Sequence, residues 1–115
     1  MQESLRTRRV AELLRKEISS IITNHVHDPK VHDVVITEIR VTKDMDLARV
    51  YFTSYHKEGI ENIKKGLERS NGFIRRELIK TLHMKKVPRL EFIIDDIGDE
   101  AKKIDVLLEK LCKNE

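Results

Sequence analysis

The chain has 115 residues, of which 39% are hydrophobic, 37% charged and 4% aromatic. That length suits one domain with a self-sufficient core, so neither disulfides nor a structural metal are needed to explain folding. The single cysteine, Cys112, excludes an intrachain disulfide and a Cys-rich zinc site. Apolar runs fall short of the ~18 residues of a membrane span. The start, Met1-Gln2-Glu3-Ser4-Leu5-Arg6, lacks the apolar stretch of a secretory signal, so a cytoplasmic protein without a membrane partner is expected.

The first predicted element is a helix. Val10, Leu13, Leu14, Ile18, Ile21, Ile22 and Val26 recur at three- and four-residue steps. Ser4 is placed to cap its start, and Asp28-Pro29 stops it, because a residue before proline disfavours helical backbone. The period then changes to two. Val35, Ile39 and Val41 set against Ile36, Glu38 and Arg40 predict a strand over about 34–42. Ala48, Val50 and Phe52, alternating with Arg49, Tyr51 and Thr53, predict a second, joined to the first as an antiparallel hairpin by Lys43-Asp44-Met45-Asp46.

Ile60, Ile63 and Leu67 predict a helix to about Arg69. After Asn71-Gly72, Phe73, Ile74, Leu78 and Leu82 predict another, ended by Val87-Pro88. Gly72 reads as a C-cap or a kink between the two. Leu90, Phe92 and Ile94 form a third strand. Gly98 and Asp99 then open a last helix with the stripe Ile104, Leu107, Leu108 and Leu111. The expected order is α-β-β-α-α-β-α in one domain over residues 1–115. Two helices between the second and third strands give a crossover long enough to set strand three parallel to a hairpin strand. The fold class is α+β, a three-stranded mixed sheet with helices packed on one face.

Catalytic and metal-binding readings fare poorly against plainer ones. Cys112 has no histidine near it in sequence to activate its thiol and reads as a semi-buried filler. His25, His27 and His32 cluster at a helix end, where a helix dipole favours them without any metal. Asp95, Asp96, Asp99 and Glu100 lie where a strand hands over to a helix, so capping explains them better than metal binding or general acid–base work. No nucleophile elbow, phosphate loop or zinc-protease motif appears. A non-enzymatic protein without cofactor or metal is expected.

The charge pattern is more informative. Between Lys64 and Arg89, nine cations (Lys64, Lys65, Arg69, Arg75, Arg76, Lys80, Lys85, Lys86, Arg89) face only Glu68 and Glu77. With Ile74 at zero on a helical wheel, Leu78 and Leu82 fall near about 40° and 80°, whereas Arg76, Lys80 and His83 fall near about 200°, 240° and 180°. A cationic stripe therefore backs the apolar one, as a polyanion-binding surface requires. Tyr51 and Tyr55 do not amount to the aromatic platform of a single-strand binder.

The sequence resembles the ribosome-binding factor A family over nearly its whole length. The matching blocks are Arg8-Arg9-Val10 with Ile18 and Ile21-Ile22, then Asp28-Pro29, the run from Ile39 to Tyr51, Gly72-Phe73-Ile74-Arg75-Arg76-Glu77-Leu78, and Val87-Pro88-Arg89-Leu90-Glu91-Phe92 followed by Asp95. The resemblance implies a type II KH-like domain in which an Ala-x-Gly kink replaces the usual Gly-x-x-Gly loop. That kink maps to Ser70-Asn71-Gly72, with Ser70 at the alanine position. It also implies a factor that binds free small (30S) ribosomal subunits, their precursors and small-subunit (16S) rRNA, and a monomer is expected. Such a factor supports processing of the precursor's 5′ end, including in the cold. On this reading Arg75, Arg76 and Lys80 hold phosphates. Lys64, Lys65, Arg69, Lys85 and Lys86 extend the track, and Arg6, Arg8 and Arg9 are secondary candidates. The rival reading is a protein–protein adaptor without direct RNA contact.

Overall fold

The computed structural model describes residues 4–25, 33–55 and 57–95. Helix α1 runs Leu5–His25, strands β1 and β2 run Val34–Val41 and Leu47–Ser54, α2 runs Ile60–Leu82 after a 3-10 turn at Lys57–Gly59, and β3 runs Arg89–Ile94. The last expected helix, with Cys112, lies outside the described residues.

Helix α1 starts where its cap predicts. The Ser4 hydroxyl accepts the Thr7 N–H at 3.1 Å, and the Thr7 hydroxyl returns a bond to the Ser4 carbonyl at 2.9 Å. Such a cap satisfies one of the unpaired donors of the first turn, for about 1 kcal/mol. Ala11, Leu14, Ile18, Ile21 and Ile22 face the core, but Leu13 stays 43% exposed. Its place is about 100° from Leu14 on the helix, off the buried stripe.

The sheet order is β1-β2-β3, with β1 antiparallel and β3 parallel to β2, as expected for a mixed sheet. One detail of β1 differs from strict alternation. A bulge between Ile36 and Glu38 shifts the register by one residue. An extra residue in one strand inverts which side chains share a face. Ile36 therefore joins Ile39 and Val41 in the core, while Val35, expected inside, is 37% exposed.

The main correction concerns the middle of the chain. The two helices expected on either side of Ser70-Asn71-Gly72 are one continuous helix of 23 residues. The reason is phase. Ile63, Leu67, Ile74 and Leu78 are spaced four, seven and four apart, so the buried stripe passes through the Asn-Gly pair without interruption. Gly72 keeps a negative φ and is not a left-handed cap. The helix ends at Leu82, well before Val87-Pro88, because His83 takes the left-handed conformation (φ 51°) that turns the chain away. Val87 and Pro88 are instead buried in the connection to β3.

Helix α1 packs on β1, α2 on β3, and the two helices meet. Between them and the sheet lie Ile39, Val50, Phe52, Leu90 and Phe92. The Phe52 and Phe92 rings meet edge to face at 6.4 Å.

Candidate nucleic-acid interface

The buried stripe of α2 fixes what the helix shows to solvent. With Ile74 at zero, Lys65 and Arg69 fall at about 180° and 220°, in line with Arg76 and Lys80, and Gly72 falls at about 160°. All five are exposed. They form one ridge, about 22 Å long from Lys65 to Lys80 at 1.5 Å per residue. The unbroken helix brings Lys65 and Arg69 into register with Arg76 and Lys80, which two separately angled helices would not ensure.

Glu61, Glu68 and Glu77 are the acidic residues of α2. Lys80 meets Glu77 at 3.6 Å with its side chain 74% exposed, a pair that contributes little in water. The Arg76 guanidinium lies over Gly72, its Nη1 3.6 Å from where a β-carbon would stand. The glycine leaves a low point in the ridge beside a cation, where an anionic chain can approach the helix closely.

The other expected cations are placed differently. Arg75 points toward the start of β3, and its Nη2 donates to the Val87 carbonyl at 3.0 Å. Its Nε is buried without a hydrogen-bond partner. Asn71, one turn earlier on that side, donates its amide to the Leu90 carbonyl at 2.9 Å. These two residues tie α2 to β3. Lys64 lies on the same side of the helix, half-buried. Lys85 is exposed in the connection after α2. Lys86 pairs with the Asp46 carboxylate in the β1–β2 loop, and the Asp46 backbone carbonyl accepts the Arg89 N–H at 2.9 Å. The loop is ordered by its own side chains. Thr42 and the Asp46 N–H both bond Asp44, holding its carboxyl below the usual range, with the Thr42 hydroxyl the larger cause.

Arg8 and Arg9 are exposed near the start of α1. Arg8 borders a separate groove between α1 and β1 with Arg15, Thr37 and Glu38. In that groove Arg15 pairs with Glu12 at 3.0 Å. Of the acidic cluster, Asp95 accepts the Thr37 hydroxyl at 2.6 Å, a contact between strands. Asp96, Asp99, Glu100, His27 and His32 lie outside the described residues. Sequence reasoning passed over a groove of about 480 Å³ between α2 and β3, lined by Leu47, Asn71, Gly72, Arg75, Arg89 and Glu91. Arg89 is its exposed cation, and only the pairing of β3 beside α2 brings it there.

The family model described as ribosome-binding factor A matches residues 6–108. The chain belongs to the ribosome-binding factor A family. Family members include a ribosome-binding factor A from Syntrophobacter fumaroxidans, 40% identical over 98% of this chain and 99% of that protein. One from Streptococcus pneumoniae is 35% identical over 99% of this chain and all of its own length. The fold agrees with the crystal structure of the Thermus thermophilus factor (TM-score 0.69, 23% identity, 76% of this chain and 94% of that one). It also agrees with a homology model of the Thermus thermophilus factor fitted into a cryo-EM map of a 30S complex (TM-score 0.62, 23% identity, 75% and 91%).

Proposed function

We propose that this protein is a ribosome-binding factor that docks on the small ribosomal subunit by laying the outer ridge of α2 along rRNA phosphates. The observation that carries this reading is the exposed line Lys65, Arg69, Arg76 and Lys80, opened at Gly72. Point charges on a helix surface recognise a backbone rather than a base sequence, so affinity is salt-dependent and base preference slight. The Thermus protein fitted into a 30S complex supports the choice of subunit. Arg75 and Asn71 position the ridge from behind, and Arg89 borders the adjoining groove.

Within this reading the protein is a cytoplasmic monomer acting on free subunits and their precursors. It binds rather than cuts, and it supports maturation of the 5′ end of small-subunit rRNA, including in the cold. Crosslinking the bound protein to subunits tests the docking face. Links from the Lys65–Lys80 ridge to rRNA are expected. Links confined to ribosomal proteins, with association surviving ribonuclease, would replace it with the adaptor reading.

A further inference from the structure

The α2 ridge and the groove beside it share one residue. Gly72 is the low point of the ridge and also lines the groove between α2 and β3. Two arginines line that groove, Arg75 from α2 and Arg89 from the start of β3. They are not equivalent. Arg75 is turned inward, with its Nη2 on the Val87 carbonyl and its Nε buried. Arg89 is exposed, and among the described residues its guanidinium has no hydrogen-bond or ion-pair partner. Glu91, also in the lining, is two residues on, and register sets it beside Arg49 of β2.

The backbone that carries Arg89 is fixed on several sides. Its N–H donates to the Asp46 carbonyl at 2.9 Å, and Leu47 of β2 stands beside it in register. Val87 and Pro88 before it and Leu90 after it are buried. The Val87 and Leu90 carbonyls accept from Arg75 and Asn71. A cation on such a stem gives up only its own side-chain freedom on binding. Lys86, earlier in the same connection, is already engaged, because its Nζ pairs with the Asp46 carboxylate. Asp46 therefore holds both ends of the Lys86–Arg89 connection, one with its carboxylate and the other with its carbonyl. A phosphate that took Lys86 would compete with that pair, whereas Arg89 has none to break.

We propose that Arg89 is a further contact for the RNA backbone, across the groove from the ridge, and that Lys86 is a tether of the α2–β3 connection, not a phosphate contact. This rests on the reading of α2 as the rRNA-facing ridge. A backbone that dips to the helix at Gly72 lies at the mouth of the groove, where Arg89 meets a neighbouring phosphate. The sequence ranks the two cations the other way, since Lys86 continues the basic run from Lys85 while Arg89 belongs to a strand.

Two variants that remove the same charge from one short connection separate the roles. Long-range attraction changes nearly equally in Arg89→Gln and Lys86→Gln, so a difference between them reports direct contact. In co-sedimentation with purified small subunits over a salt series, Arg89→Gln should weaken association several-fold. It should also lower the log–log salt slope by about 0.7, the share of one phosphate on a single strand. Lys86→Gln should keep the parent's slope, and Arg89→Lys, which restores the charge on the same stem, should recover it. Equal losses from the two glutamine variants, a larger loss from Lys86→Gln, or none from Arg89→Gln would overturn the proposal. Failure of Arg89→Lys to recover the slope would mark a structural loss and count against it as well. The Arg76→Glu, Lys80→Glu variant run alongside separates this failure from that of the ridge reading. If that variant binds as the parent does, both fall; if it loses association while Arg89→Gln does not, only the role of Arg89 is refuted.

Discussion

At the scale of single residues, adjacent arginines on α2 have different roles. Arg75 donates to the Val87 carbonyl and has a buried Nε, whereas Arg76 lies over Gly72 in solvent. Replacing Arg75 with alanine orphans a carbonyl and removes a packed stem, and should cost about 1–3 kcal/mol in a denaturant titration. Arg76→Ala should stay within about 0.5 kcal/mol, as surface changes usually do. Asp44 offers a pH test in the hairpin loop. Its carboxyl is held low by the Thr42 hydroxyl and the Asp46 N–H. A depressed folded value means the bonds are intact above the ordinary carboxylate range and are lost as pH falls through the lowered one. The Asp46 amide signal should therefore titrate below the usual aspartate range, and Thr42→Ala should move that titration up.

At the scale of elements, the continuity of α2 makes Gly72 a test of what glycine is for. Its φ is negative, and an added β-carbon meets only the Arg76 guanidinium at ordinary contact distance. Gly72→Ala should raise stability by about 0.5–1 kcal/mol, since glycine is a poor helix former. It should also weaken subunit binding if phosphate approaches there. A fall in stability would mean that the backbone at this point is not helical. Much of the fold is legible in the sequence. The Ser4 cap, the hairpin, the parallel third strand and the α2 stripe all follow from spacing and turn chemistry. Other features are less so. The bulge at Thr37 is invisible to alternation, because Val35 and Ile36 are equally apolar. The Asn71-Gly72 pair looks like a break until the Ile63–Leu67–Ile74–Leu78 phase is followed across it. The distinction between Arg75 and Arg76 depends on where β3 lies, and spacing along one helix does not show that.

At the scale of the whole molecule, the charges divide between surfaces. The α2 ridge carries exposed cations, whereas the sheet sets Arg40 and Arg49 beside Glu38 and Glu91. Four cations in line should together contribute a log–log salt slope of up to about 3 for a single-stranded phosphate backbone. The most direct test is co-sedimentation with purified small subunits of the Arg76→Glu, Lys80→Glu double variant, compared with a Lys16→Glu control on the solvent side of α1. The double variant should unfold as the parent does yet lose association, while the control binds normally. Undiminished binding by the folded double variant would contradict the assignment of the α2 ridge as the rRNA contact.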